Sequence, residues 1–199
     1  MRLRSAVAVR SSFVPTVLLV LALAACGGGS DEGAAGETTV ETAKAYSLVL
    51  DTSSGSFTIR LDRATAPKTV ASLVALARKG FFDGTKFHRV VPGFVIQGGD
   101  PTGTGTGGPG YKTVDVPPSD AAYTKGIVAM AKAPDEAPGT AGSQFFVVTG
   151  ADVGLPPEYA IVGKVSAGMD TVEAIDALGV GDGPPSKPVV IEKVTVVER

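Results

Sequence analysis

Short apolar runs bounded by Gly or Pro are the feature that most restricts how this chain can fold. Such runs occupy residues 94–97, 126–131, 145–148 and 159–165. Each run has the length of a strand, and the clusters on either side of it are turn signals. With 26 Gly, 14 Pro and no Trp, the composition favours a turn-rich β architecture, a barrel or a sandwich, over a helical bundle.

A β-hairpin is predicted where the first strands of this architecture should begin. The segments SLVLD and SFTIRLD flank residues 52–55, and Phe57, Ile59 and Leu61 alternate with polar residues in the second segment. This period of two is typical of a strand with one buried face. A β-branched stretch at 189–197 is suited to complete the sheet.

Two helices are predicted beside the strands. Residues 66–79 carry apolar side chains spaced three and four apart, among them Val70, Leu73 and Ala77, with a proline in the first turn and a glycine just after the end. A second helix is predicted over 170–177. The chain is therefore expected to be mainly β, a barrel with two helices over its ends.

The N-terminus is typical of a bacterial lipoprotein. Residues 1–25 hold a basic start and an apolar run at 17–25 that is well below the roughly 20 residues of a spanning helix. The run ends in Leu-Ala-Ala followed by Cys26, which resembles a lipobox, so we expect the Cys26 thiol to be lipidated after removal of residues 1–25. An ordinary secretory signal is the alternative. Either signal predicts a location outside the cytoplasm, and lipidation predicts a membrane anchor.

A linker is expected between the anchor and the folded part of the chain. Residues 27–44 have no apolar period and are rich in Gly, Thr and Glu, so this stretch cannot bury enough surface to fold. As a flexible coil, such a length would span roughly 20 to 25 Å. We therefore divide the chain into a signal at 1–25, the lipidated Cys26 and linker at 26–44, and a folded domain at 45–199; a tail of no consequence is the alternative to a linker.

Composition argues against nucleic acid and metals as partners. The formal net charge is −2, and no cluster of Lys or Arg forms the basic footprint of a nucleic-acid-binding protein. One Cys and one His cannot supply a disulfide, a Cys/His zinc site or a three-histidine site. No cofactor is expected. We expect a monomer.

Two long motifs carry a resemblance to a known family. The segment FHRVVPGFVIQGGD at 87–100 resembles the signature of cyclophilins, which are peptidyl-prolyl cis-trans isomerases. The blocks GIVAMAKA at 126–133 and GSQFF at 142–146 resemble the other active-site strands of the family, in the expected order. The resemblance covers roughly 46–197 and implies an eight-stranded antiparallel β-barrel capped by two α-helices. It also implies proline-containing polypeptides as partners.

The resemblance implies a catalytic group and a substrate-binding groove. The catalytic group would be Arg89, Phe94 and Gln97. The groove would be lined by His88, Val95, Ala131, Lys132, Gln144, Phe146, Leu155 and Tyr159. Each has a plainer alternative: a surface ion pair for the arginine, barrel core for the apolar residues, internal hydrogen bonds for the glutamines and a structural role for the histidine.

The residue types suit isomerisation of an X-Pro bond. Resonance gives the peptide bond a rotational barrier of about 18–20 kcal/mol. In the twisted transition state the conjugation is lost, and the prolyl nitrogen becomes a hydrogen-bond acceptor. Arg89 is permanently charged and carries several N–H donors in one plane, so it can donate there but cannot act as a base. Phe94, Phe146 and Leu155 would grip the proline ring, while Gln97 and Gln144 would bind the substrate backbone.

Three departures from common cyclophilins stand out. The chain has no Trp, and Tyr159 stands where many members carry His, which argues against tight cyclosporin binding. Lys132 replaces a common Asn, and its charge is expected to favour acidic residues near the proline. The glycine-rich stretch 103–108 matches a dinucleotide fingerprint but is followed by Pro109 instead of a helix, so we interpret it as a loop beside the groove.

Three functions compete at this point. The leading one is a lipid-anchored isomerase that accelerates X-Pro isomerisation in exported or cell-envelope proteins. The alternatives are a non-catalytic holdase or assembly factor that binds proline-containing segments, and a structural lipoprotein of the cell envelope.

Overall fold

The computed structural model describes residues 45–199. The signal at 1–25, Cys26 and the linker at 26–44 lie outside the described residues. No helix within 45–199 combines the length and apolar character needed to cross a membrane.

The described part of the chain forms ten strands and two helices. In chain order they are β1 (Tyr46–Thr52), β2 (Gly55–Leu61), α1 (Pro67–Arg78), β3 (Arg89–Val91), β4 (Val95–Gly98), β5 (Thr113–Val114), β6 (Ile127–Met130), β7 (Thr140–Ala141), β8 (Phe145–Val148), β9 (Ile161–Ala167), α2 (Met169–Asp176) and β10 (Ile191–Glu198).

Eight strands form one curled antiparallel sheet in the order β10-β1-β2-β9-β6-β8-β4-β3, and β5 pairs with β7 outside it. The predicted hairpin is β1 and β2, whose register runs from Ser47 opposite Arg60 to Thr52 opposite Gly55. The Thr52 hydroxyl donates to the Gly55 carbonyl at 2.6 Å and fixes the turn.

The two edges of the sheet are joined beside β3 and β10. The amide of Phe87 donates to the carbonyl of Val189 at 3.0 Å, and the amide of Ile191 donates to the carbonyl of Thr85 at 2.8 Å. These bonds join the segment that precedes β3 to the start of β10 and the residues just before it, so the barrel closes through a short seam and not through a continuous ladder. The predicted fold, eight antiparallel strands with two helices, is confirmed.

Both helices contribute apolar side chains to the core inside the sheet. In α1 the predicted face is buried, with Val70 and Leu73 at most 3% exposed. In α2, Val172 and Ile175 are fully buried. Each helix is shifted or shortened by about one residue from its prediction. Gly80 follows the end of α1 and Gly168 precedes α2, and both glycines have positive φ.

The strands missed by the sequence are short. The element β3 has three residues, and β5 and β7 have two each, which is too few to establish a period of two. The four predicted apolar runs correspond to β4, β6, β8 and β9, with boundary differences of one or two residues for all but β8.

A close backbone approach at Gly99 fixes the end of β4 against the segment that leads into β8. Gly99 has a φ of +82°, and a Cβ there would overlap the carbonyl oxygen of Ser143 and lie 2.9 Å from the Phe145 ring. Both the conformation and the space require glycine.

We therefore expect Gly99→Ala to lower the free energy of unfolding by about 3 kcal/mol through backbone strain and overpacking. Urea denaturation measures the change. Gly108→Ala is the control, because a Cβ at Gly108 meets nothing within 4 Å, and it should leave the midpoint unchanged. Equal midpoints for the two variants would contradict this account of Gly99.

Candidate active site

The floor of the candidate site is a row of side chains that crosses four neighbouring strands. Arg89 in β3 lies opposite Gln97 in β4, Gln97 lies opposite Phe146 in β8, and Phe146 lies opposite Ala129 in β6. Because side chains that face each other across paired strands share a face of the sheet, this row lies on one surface. The residues that alternate with it belong to the interior core: Val90, Ile96, Val147 and Val128.

An apolar cluster covers this outer surface of the sheet, separate from the interior core. Phe146 is its buried centre at 4% exposure, and its ring meets the ring of Tyr159 edge to face at 5.6 Å. The outer cluster consists of Val95, Tyr123, Ala129, Phe146 and Val148, with the partly buried Phe94, Ile127, Ala131, Val153, Leu155, Tyr159 and Ile161 packed against them. The structure therefore brings together every apolar residue that the sequence assigned to the groove.

Among the described residues, side chains fill the interior of the barrel. The void between the interior core residues has a volume of about 10 Å³. A larger recess of about 510 Å³ opens on the outer surface, between Gln97, Gln144, Ala131 and Lys132. The interior void is therefore too small for a peptide, and the larger recess lies outside the barrel.

Arg89 lies at one end of the floor and is held from two sides. Its Nη1 donates to Gln97 Oε1 at 3.2 Å, and its Nε and Nη2 donate to the two carboxylate oxygens of Asp182 at 2.5 and 3.0 Å. Its guanidinium carbon lies 5.9 Å from the centre of the Phe94 ring. The hydrogen bond from Arg89 lowers the pKa of Asp182, so the pair stays charged over the ordinary pH range.

A continuous string of hydrogen bonds connects Arg89 to the glycine-rich loop. Gln97 Nε2 donates to Gln144 Oε1 at 3.1 Å. Gln144 Nε2 in turn donates to the carbonyls of Gly105 and Gly107, both at 2.9 Å. The internal bonds that the sequence left open as an alternative for both glutamines are present, and they fix the direction in which each amide faces the groove.

Asp100 organises the glycine-rich loop from within. It is fully buried, and its carboxylate accepts hydrogen bonds from the amide and hydroxyl of Thr102 and from the amides of Gly105 and Gly107, at 2.6 to 3.1 Å. Burial alone would raise the pKa of Asp100, but these hydrogen bonds outweigh it and lower the pKa to about 2. Residues 103–108 are thus a loop folded around a carboxylate beside the groove, as expected.

His88 lies next to this loop and is half-buried. Neither ring nitrogen has a hydrogen-bond partner among the described residues. Burial lowers the pKa of His88, partly offset by the nearby Asp100 carboxylate, which favours the neutral ring at neutral pH. The substrate-binding role predicted for His88 stays a prediction.

Lys132 does not present a free charge at the rim. Its Nζ pairs with Glu158 Oε2 at 2.9 Å, donates to the Glu136 carbonyl at 3.1 Å and lies 5.7 Å from the centre of the Tyr159 ring. The side chain is 4% exposed, and the hydrogen bond to Glu158 raises its pKa. The expectation that Lys132 favours acidic residues near the proline stays a prediction, and Glu158 is a competing partner for its charge.

Tyr123 supports the far wall of the groove from below. It is fully buried, and its hydroxyl donates to the carbonyl of Tyr159 at 2.7 Å while accepting from the Tyr159 amide at 3.0 Å. This anchors the segment that carries Tyr159 to the sheet. Burial raises the pKa of the Tyr123 hydroxyl.

Asp176 fixes the turn that precedes Phe94. Its carboxylate accepts from the amide of Gly93 at 3.0 Å and from the hydroxyl of Thr149 at 2.7 Å, and the Thr149 amide donates to the Phe94 carbonyl at 3.0 Å. The helix α2 therefore reaches the groove through its last residue.

Sequence reasoning missed four of these supporting residues: Asp100, Tyr123, Asp176 and Asp182. Only Asp100 carried a usable signal, since an Asp before a run of Gly and Thr is typical of a side chain that caps its own turn. The partners of the other three are distant in sequence.

Comparison with known proteins identifies the family. A family model described as cyclophilin type peptidyl-prolyl cis-trans isomerase/CLD matches residues 47–196. The chain belongs to the cyclophilin-type peptidyl-prolyl cis-trans isomerases. This confirms the resemblance drawn from the motifs and the enzyme class that it implied.

Curated relatives support the assignment of this chain to the cyclophilins. Peptidyl-prolyl cis-trans isomerase A of Mycobacterium tuberculosis is 42% identical over 166 residues, covering 74% of this chain and 90% of the relative. Peptidyl-prolyl cis-trans isomerase-like 1 of Gibberella zeae is 40% identical over 157 residues, covering 76% and 95%.

Solved structures of a cyclophilin-type isomerase of Cryptosporidium parvum share the fold. One is similar with a TM-score of 0.71 and 31% identity, covering 78% of this chain and 99% of that one. Another, obtained in the presence of the dipeptide Ala-Pro, has a TM-score of 0.70 and 32% identity, covering 77% and 99%.

The buried Asp100 makes the stability of this cyclophilin depend on pH in a defined direction. Because the folded-state pKa of about 2 lies below the ordinary value of 3.8, its contribution is present above about pH 4 and is lost as the pH falls toward 2. The shift corresponds to about 2 kcal/mol at neutral pH.

We expect Asp100→Asn to lower the free energy of unfolding at pH 7 by at least that amount, since the amide leaves backbone donors unpaired. The difference from wild type should shrink as the pH falls from 4 to 2, as measured by urea denaturation at each pH. The exposed Asp120→Asn is the control and should match wild type. A pH-independent difference for Asp100→Asn would contradict the assigned cause.

Proposed function

We propose that this cyclophilin isomerises X-Pro bonds in exported or cell-envelope proteins, as a monomer anchored to the membrane by a lipid at Cys26. Arg89 would supply the catalytic hydrogen bond. The observation that carries the catalytic part is the placement of Arg89 at the end of the row that leads into the outer apolar cluster, held by Gln97 and Asp182.

The donors of Arg89 divide into those used for positioning and those left for substrate. A guanidinium has five N–H groups. Three of them donate to Gln97 and Asp182, and within residues 45–199 one hydrogen on Nη1 and one on Nη2 remain without such a partner. A donor fixed in this way stabilises the lone pair of the prolyl nitrogen only when the peptide bond is twisted, which lowers the barrier instead of tightening ground-state binding.

The apolar cluster would hold the proline ring while the preceding bond turns. Phe94, Phe146 and Leu155 offer the apolar surface, and the edge-to-face contact with Tyr159 fixes the Phe146 ring. A held ring converts rotation about the C–N bond into motion of the N-terminal residues alone, which is a positioning effect. Gln97 and Gln144 would bind backbone groups, which makes the groove tolerant of the neighbouring sequence.

Replacement of Arg89 tests the catalytic assignment. Arg89→Ala should lower kcat/KM for a peptide with one Ala-Pro bond by roughly 10²-fold, the usual effect of losing one preorganised donor. Arg89→Lys should retain an intermediate rate, because it keeps the charge but loses the planar fork. Proline-limited peptide isomerisation measures both.

The outcomes separate the competing functions. Equal rates for wild type and Arg89→Ala would remove Arg89 from catalysis. No measurable rate for the wild-type protein, together with retained peptide binding, would favour the non-catalytic holdase.

The N-terminal end of the described domain is held to its C-terminal end. Ala45 pairs with Arg199 through two backbone bonds of 2.9 Å. Since one chain supplies all the groove residues, the proposal needs no second subunit.

Cys26→Ala tests the anchor without altering the groove. We expect wild type in the membrane fraction and the variant in the soluble extracytoplasmic fraction, with globomycin causing accumulation of the unprocessed wild-type chain. An Ala25→Ser variant serves as the control, because the position keeps a small residue. Membrane association of Cys26→Ala equal to wild type would overturn the lipid anchor while leaving the isomerase assignment intact.

A further inference from the structure

The ion pair between Asp182 and Arg89 is set by the backbone and not only by two mobile side chains. Asp182 belongs to the segment between α2 and β10. Its neighbour Gly183 accepts a hydrogen bond from the amide of Val90, the neighbour of Arg89, at 2.8 Å. This bond brings the two residues into register, so their side chains meet at the same point of the sheet edge.

The remainder of the segment is also fixed. The amide and the hydroxyl of Ser186 both donate to the Leu178 carbonyl, at 2.8 and 3.0 Å, which closes the segment into a loop. Pro184 and Pro185 follow the bonded Gly183 and restrict the backbone further. Asp182 therefore sits on a restrained support even though its side chain is 67% exposed.

The geometry of the pair fixes the plane of the guanidinium. Nε and Nη2 of Arg89 donate to separate carboxylate oxygens of Asp182. This two-point contact defines both the position and the plane of the guanidinium. Gln97 contributes a single bond to Nη1, which alone would leave the group free to rotate. An arginine side chain loses rotamer entropy when it is immobilised. With Asp182 in place, this entropy is lost when the protein folds and not when the transition state forms.

We propose that Asp182 is a positioning residue for the isomerisation, holding the guanidinium of Arg89 in the plane that directs its remaining donors at the prolyl nitrogen. The inference rests on the proposed catalytic role of Arg89. Because Asp182 acts on a donor used in the transition state, its removal should change the rate on the enzyme more than substrate binding.

The pair is a poor source of fold stability, which makes the proposal separable from a structural role. Exposed ion pairs contribute little to unfolding free energy, and the backbone bond between Val90 and Gly183 does not depend on the Asp182 side chain. A rate loss without a stability loss would thus be specific to positioning.

The experiment measures the on-enzyme interconversion rate and the dissociation constant of a peptide with one Ala-Pro bond, by NMR exchange spectroscopy on the full mature chain. Asp182→Ala should lower the rate about tenfold, with the dissociation constant and the unfolding midpoint within twofold and one degree of wild type. Asp182→Asn keeps an oxygen acceptor and should recover most of the rate. Glu173→Ala, which breaks the similarly exposed pair with Lys125, is the matched control and should match wild type.

Each outcome bears on a distinct claim. An unchanged or increased rate in Asp182→Ala, while Arg89→Ala is inactive, overturns the positioning role and leaves the function of Arg89 intact. An unchanged rate in both variants traces the failure to the assignment of Arg89. A loss of rate in Asp182→Ala that Asp182→Asn does not recover, or that accompanies a lowered unfolding midpoint, would also overturn the proposal.

Discussion

The alternation of side chains across β4, β6 and β8 is the constraint on which both the fold and the groove depend. These strands pack on both faces: Ile96, Val128 and Val147 point into the barrel, while Gln97, Ala129 and Phe146 point outward. A slip of one residue would send every side chain to the opposite face. The same register that fills the interior therefore aligns the groove, so a register slip would disrupt both.

The outer face of the sheet needs its own supporting contacts, because the candidate site lies on a surface that water would otherwise hydrate. The polar string from Asp182 through Arg89, Gln97 and Gln144 to the loop around Asp100 joins each group to the next by a hydrogen bond. Such preorganisation places the cost of ordering the site in folding instead of in each turnover. The two ends of the string are carboxylates, and hydrogen bonds lower the pKa of both, so both stay ionised at neutral pH.

The features that could be predicted from the sequence are those set by neighbouring residues. Periodicity identified α1 and the hairpin, and an apolar run bounded by turn residues identified β8. The resemblance of the motif at 87–100 to cyclophilins assigned Arg89 and Gln97 to the site. The faces of adjacent aromatic residues are different: Phe145 and Phe146 are both buried, yet Phe145 packs inside against Phe82 and Phe87. No local pattern separates them, since a strand covered on both sides is apolar throughout; only the resemblance to cyclophilins assigned Phe146 to the groove.

Three cations at the groove share one feature: each is paired with a carboxylate. Arg89 pairs with Asp182, Lys132 with Glu158, and Lys112 with Glu136 at 2.8 Å. In each pair the carboxylate lies in a different segment from the cation, so no spacing along a single helix or strand predicts the pairing. A cation paired with a carboxylate can still donate hydrogen bonds, but the electrostatic field that it exerts on a nearby peptide is weak. If the proposed groove binds substrate, we therefore expect it to discriminate by the shape of the proline ring and by backbone hydrogen bonds more than by charge.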